Sequence, residues 1–138
     1  AHRKKPSTSA IARMLSTTLY SRRFFPYYTF NVLGGVDEQG NGIVYSYDAI
    51  GSMELSPYSS SGSARELVQP LLDNQIGWKG QKETLKKPLR TKEDVVDLIK
   101  DAMTSATERD IYTGDYVDIY VISADQAVQT EKFELKFD

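Results

Sequence analysis

The sequence predicts an α+β domain, and two observations predict it. The spacing of apolar residues switches between a helical period of roughly 3.6 and a strand period of roughly 2, in the order helix, three strands, two helices, two strands. Turn residues rather than crossover helices join successive strands, as antiparallel pairing requires, and the helices come in runs beside them. A length of 138 residues matches one domain, here residues 1–138 with a polar leading segment over 1–8.

The first helix is expected over roughly Ser9 to Arg22, where Ile11, Met14, Leu15, Thr18 and Leu19 recur at three- and four-residue steps. Ser7, Thr8 and Ser9 are each suited to cap it. Pro26 prevents its continuation and pushes Phe25 toward an extended conformation. Thr29–Val36 is then rich in β-branched and aromatic residues and reads as a strand, with Gly34-Gly35 permitting a bulge or a close backbone approach. The Asp37–Gly42 stretch is a turn, Ile43–Asp48 a second strand, Ala49–Gly51 a break, and Ser52–Leu55 a third strand. Three strands so connected make a meander.

Ser59–Ser63 is a loop of small residues, followed by a helical stripe of Ala64, Leu67, Val68, Leu71 and Leu72. Pro70 inside that stripe predicts a kink or an early end. Gly77–Lys87 is a polar loop whose lysines (Lys79, Lys82, Lys86, Lys87) are read as solvated. Thr91 and Asp94 have the spacing of a capping box and open a helix running to about Arg109, with Val95, Leu98, Ile99, Ala102 and Ala106 on one face. Tyr112-Thr-Gly114 closes it, Gly114 being suited to a left-handed residue. Tyr116–Ser123 alternates as a strand, and Val128–Phe137 pairs with it as a hairpin around Asp125-Gln126.

Composition removes several functions. With 17 Lys and Arg against 19 Asp and Glu, the net charge of −2 gives no overall field for nucleic acid. No apolar run approaches the roughly 18–20 residues of a membrane-spanning helix. There is no Cys, which fits a reducing compartment and removes disulfides and the usual zinc signatures; the single His, His2, lies in the polar leading segment, which leaves no histidine-based triad and no two-His metal site within this chain. The opening Ala1-His-Arg-Lys-Lys has no initiator Met and no apolar stretch of a signal peptide, which suggests that the chain has been cut or that its first part is not represented.

Few side chains remain for chemistry. Asp110 falls at the C-terminal end of the long helix, where a carboxylate meets the partial negative charge of the helix and needs a local donor, structural or functional. Ser61-Gly62-Ser63 sits at a helix entrance, where free N–H groups hold an anion or polarise a carbonyl, or where a serine merely caps. Phe24, Phe25, Tyr27, Tyr28 and Phe30 read as core and interface rather than as a base-stacking platform. No glycine-rich phosphate loop has the required spacing.

Five stretches carry a resemblance: Ser21-Arg-Arg-Phe-Phe-Pro-Tyr-Tyr28, Gly34-Gly-Val-Asp-Glu-Gln-Gly-Asn-Gly42, Val44-Tyr-Ser-Tyr-Asp-Ala-Ile-Gly-Ser52, Gln69-Pro-Leu-Leu-Asp-Asn-Gln75 and Ser105–Asp115. Over about Ser9 to Asp138 the chain resembles the beta subunits of the eukaryotic 20S proteasome, of the non-catalytic type at the sixth position of the ring. The resemblance implies the N-terminal-nucleophile hydrolase fold, a four-layer αββα sandwich, with this chain as its carboxy-terminal part. The family's amino-terminal threonine nucleophile would then lie in a part preceding Ser9. Active members support that threonine with a Gly-Ser-Gly-Ser loop and a helix-end Arg-Asp followed by Ser-Gly. Here these read Ser60-Ser61-Gly62-Ser63, with Ser61 in the place of the serine beside the threonine amine, and Arg109-Asp110 with Thr113-Gly114. The implied role of Ser61, Asp110, Thr113 and Gly114 is a retained structural network with no catalytic residue, no cofactor and no metal.

The leading expectation is therefore a structural beta-ring subunit of the threonine-type endopeptidase complex. It would assemble with other beta and alpha subunits, with no nucleic-acid or membrane partner, in cytoplasm and nucleus. The alternatives are a catalytic threonine endopeptidase subunit whose nucleophile lies in the preceding part, and an autonomous small binding module.

Overall fold

The structure, a computed structural model, describes residues 4–137; His2 lies outside them. The elements are α1 (Thr8–Tyr20), β1 (Val32–Val36), β2 (Gly42–Tyr47), β3 (Met53–Ser56), α2 (Arg65–Gln75), α3 (Lys92–Thr107), β4 (Tyr116–Val121) and β5 (Gln129–Glu134), the order the sequence predicts. The chain falls into two compact units, Ala1–Ser61 with Ile122–Val128, and Gly62–Val121 with Gln129–Asp138.

In the first unit β1, β2 and β3 form an antiparallel meander, with Leu33 opposite Tyr45 and Tyr45 opposite Leu55. Both of its turns are closed by an aspartate that accepts from two backbone N–H groups: Asp37 from Gln39 and Asn41, and Asp48 from Ile50 and Ser52. Ser7 caps α1 by accepting from the Ala10 N–H at 3.1 Å. The helix buries Ala12, Leu15 and Leu19 against Tyr45, Tyr47, Leu33 and Ile43. The expected stripe is thus rotated, for Met14 and Thr18 lie exposed.

Close approach of backbone explains the rotation. Thr8 Oγ1 donates to the Val36 carbonyl at 2.7 Å, Ser16 Oγ to the Gly51 carbonyl at 2.6 Å, and the buried Tyr47 hydroxyl to the Ala12 carbonyl at 2.6 Å. A helix held this tightly needs small residues at its contact. A Cβ at Gly35 would lie 2.6 Å from Thr8 Oγ1, and one at Gly51 would lie 2.4 Å from the Ser16 carbonyl oxygen. Gly35 therefore serves close approach, and the register of β1 is unbroken by any bulge. The aromatic run after α1 is not core in this chain: Phe24, Phe25, Tyr27, Tyr28 and Phe30 are all exposed.

In the second unit α2 contacts α3, and α3 contacts β4 of the β4–β5 hairpin. The hairpin register, Val121 opposite Gln129 and Tyr116 opposite Glu134, is centred on Asp125 as expected. Thr91 caps α3 in a full capping box, its hydroxyl accepting from the Asp94 N–H and the Asp94 carboxylate from the Thr91 N–H. Leu98, Ala102 and Ala106, at four-residue steps, are its buried face. Pro70 does not end α2, which runs on to Gln75. Pro70 removes one backbone hydrogen bond and crowds the preceding turn, yet the helix continues past it and buries Leu72 two residues on.

Candidate functional site

The segment that follows α3 gathers the polar side chains singled out by the sequence. Asp110 N–H closes the last helical turn on the Ala106 carbonyl at 2.8 Å, which sets the carboxylate just beyond the helix end. A negative charge there opposes the helix dipole, so donors must be supplied. Three are. Ser63 Oγ and Thr113 Oγ1 each donate to Asp110 Oδ2 at 2.6 Å, and the Tyr112 N–H donates to Oδ1 at 3.3 Å. Short O–H···O⁻ bonds of this kind are charge-assisted. They hold the Asp110 carboxyl below the usual carboxylate range, the Ser63 bond contributing most and the Thr113 bond next.

Beneath this cluster, the buried Thr107 donates its hydroxyl to the Thr113 carbonyl at 2.8 Å. The chain then turns into β4 through Asp115, whose N–H donates to the Lys136 carbonyl at 3.2 Å while its carbonyl accepts from the Leu135 N–H at 2.7 Å. Asp115, at φ 64°, is the left-handed residue, not Gly114 as expected. Aspartate tolerates that region better than most residues, and the two backbone bonds to the hairpin hold it there.

The structure joins Asp110 and Thr113, two of the predicted residues, and Gly114 follows them in the same turn. The serine on Asp110 is Ser63. Ser61 instead donates to the Phe30 carbonyl at 2.6 Å. Gly62, at φ 109°, turns the chain between them, so neighbouring hydroxyls serve different partners. Neither serine caps α2, whose N-cap is Ala64 without a side-chain bond. Thr107 was not anticipated, since its buried bond to the Thr113 carbonyl has no signature in spacing.

A carboxylate held below its usual range is a weakened base, the wrong direction for drawing a proton from a hydroxyl. Both hydroxyl groups already donate to it. What the arrangement does is tie the end of α3 to the entrance of α2. A cleft of about 480 Å³ between α3 and the hairpin offers no better centre. Its lysines are engaged, Lys100 with Glu131 and Lys92 with Gln129. Among the described residues no group of His, Cys, Asp or Glu could hold a metal ion, and no helix is long and apolar enough to cross a membrane.

The family profile described as "Proteasome subunit" matches residues 1–122, and the chain belongs to that family. Its α+β content is that of the N-terminal-nucleophile hydrolase fold. The chain is 55% identical over 137 residues to proteasome subunit beta type-1 of Dictyostelium discoideum, covering 99% of this chain and 58% of that protein. It is 50% identical over 138 residues to proteasome subunit beta type-1 of Danio rerio, covering 100% of this chain and 57% of that protein. To proteasome subunit beta type-6 of Saccharomyces cerevisiae it is 43% identical over 142 residues, covering 98% of this chain and 58% of that protein. The chain thus spans less than two thirds of the length of the relatives it matches.

Proposed function

We propose that this chain is part of a non-catalytic beta subunit of the 20S proteasome, which assembles with other beta and alpha subunits and shapes the degradation chamber. One observation carries the reading. The Asp110 carboxylate accepts from Ser63, Thr113 and the Tyr112 N–H, a network that ties the end of α3 to the entrance of α2. Supporting it, the relatives are themselves named as proteasome beta subunits. A location in cytoplasm and nucleus goes with this reading.

A second reading has an observation in its favour. The Asp110 and Thr113 side chains are bonded to each other, and the resemblance assigns such groups to the support of an amino-terminal threonine. On that reading the subunit is a threonine endopeptidase whose nucleophile lies outside this sequence.

Asp110→Asn in the full-length subunit, expressed with its partners, separates the two. The structural reading expects fewer assembled particles, each with near-normal peptidase activity. Selective loss of one cleavage specificity in particles that assemble normally would overturn it and favour the catalytic alternative.

A further inference from the structure

The segment just after α1 has an arrangement that neither the fold nor the Asp110 cluster uses. Arg22 lies over the rings of Phe25, at 5.7 Å, and Tyr27, at 4.7 Å; Arg23 lies over Phe24, at 4.4 Å, and Tyr20, at 4.9 Å. Each guanidinium is held by two rings, which fixes its plane while leaving its N–H edge available for a bidentate acceptor. Both arginines are exposed, and among the described residues neither forms an ion pair. The rings are exposed too, Phe24 at 86% and Tyr28 at 82%. Tyr28 holds φ 60°, a strained conformation for an aromatic residue and of a kind that gathers at recognition segments.

Charge specifies what would cover this surface. Residues 1–36 contain six of the chain's Lys and Arg and none of its 19 Asp and Glu. The remaining eleven basic residues stand against all 19 acidic ones, a net charge of −8 over residues 37–138. We propose that the Tyr20–Tyr28 segment is a docking surface for an acidic protein segment, whose carboxylates take the edges of Arg22 and Arg23 and whose apolar side chains cover the exposed rings.

A nucleic acid suits the surface less well. Base stacking needs free ring faces, and the arginines already occupy a face of Tyr20, Phe24, Phe25 and Tyr27. In taking the partner to be a protein, the inference rests on the assembly reading given above, and it adds the chemistry of the contact.

The test uses the full-length subunit expressed with its partners and carrying a photoreactive phenylalanine analogue at Phe24. Mass spectrometry of the cross-linked product is expected to find a protein segment with at least two Asp or Glu. R22E/R23E should lower the cross-link yield roughly ten-fold, because like charges then face each other, and R22K/R23K should lower it less. Replacing the mapped partner acids by Lys should restore the yield in the R22E/R23E background. Circular dichroism of R22E/R23E checks that the subunit remains folded; if it does not, the same cross-link is read with R22Q/R23Q. A cross-link to nucleic acid, a partner segment without carboxylates, or an undiminished yield in a folded charge-reversal variant overturns the proposal. Failures of the two readings are distinguishable. A cross-link to an acidic segment outside any ring particle sinks the assembly reading alone, and a neutral partner segment within the particle sinks this inference alone.

Discussion

The two units of the molecule solve one problem, fixing a helix beside antiparallel strands, by different means. The α1–meander unit uses neutral groups. Hydroxyls of Thr8, Ser16 and Tyr47 donate to backbone carbonyls, and Gly35 and Gly51 let the chains approach. The α2–α3–hairpin unit uses charged ones: the Asp94 capping box, the Asp110 cluster and the Lys100–Glu131 ion pair. Helix–strand contact is thus secured through shape in the first unit, while charged side chains hold the ends and the exposed side of α3 in the second. Sensitivity to volume should therefore concentrate in the first unit, and sensitivity to acid in the second.

The largest effect should come from Gly51→Ala. Its φ of 91° disfavours any side chain, and the new Cβ would collide with the Ser16 carbonyl. A loss of about 3 kcal/mol or more is expected in chemical denaturation, with the α1–meander unit losing protection from hydrogen exchange first. A wild-type midpoint would break the comparison at its root. Tyr47→Phe is the gentler test in the same unit. It removes the hydroxyl that satisfies the buried Ala12 and should cost about 1–2 kcal/mol.

Titration sharpens the contrast. Asp110 and Asp94 have lowered pKa values, caused first by hydrogen bonds from Ser63 and from the Thr91 backbone respectively. Such groups stabilise the fold above their unfolded pKa, about 4, and that contribution is lost as pH falls through the lower folded value. Tyr47 is shifted the other way, upward, chiefly by burial. Its contribution is complete below about 10 and is lost as pH rises through the raised folded value. Residue-resolved NMR should thus show the second unit loosening first in acid and the first unit in alkali. Asp110→Asn should flatten part of the acid response and leave the alkaline one unchanged. The smallest effect belongs to Lys100→Met, since the ion pair is partly exposed; less than about 1 kcal/mol is expected, and added salt should shrink it further.

Local patterns were legible in the sequence because their physics is local. The capping box at Thr91 needs only a three-residue spacing, the turns at Asp37 and Asp48 only a short polar side chain, and the β4–β5 register only alternation about Asp125. What escaped depends on distant partners. The choice of Ser63 over Ser61 is made by a carboxylate 47 residues away, and the rotation of α1 by carbonyls at Val36 and Gly51. Phe24 and Phe25 look like core by residue type, yet both lie exposed. Asp110 was the legible half of the site, because a carboxylate at a helix end demands donors; which donors answer is a tertiary fact.

The central claim, that the subunit positions backbone and performs no peptide cleavage, is open to one direct measurement. Assembled particles would be treated with an electrophile that reacts with catalytic amino-terminal threonines, and the intact mass of the full-length subunit then read. A non-catalytic subunit keeps an unmodified mass and a mature terminus other than Thr, in the same particles whose active subunits carry the adduct. An adduct on an amino-terminal threonine of this subunit would contradict the claim.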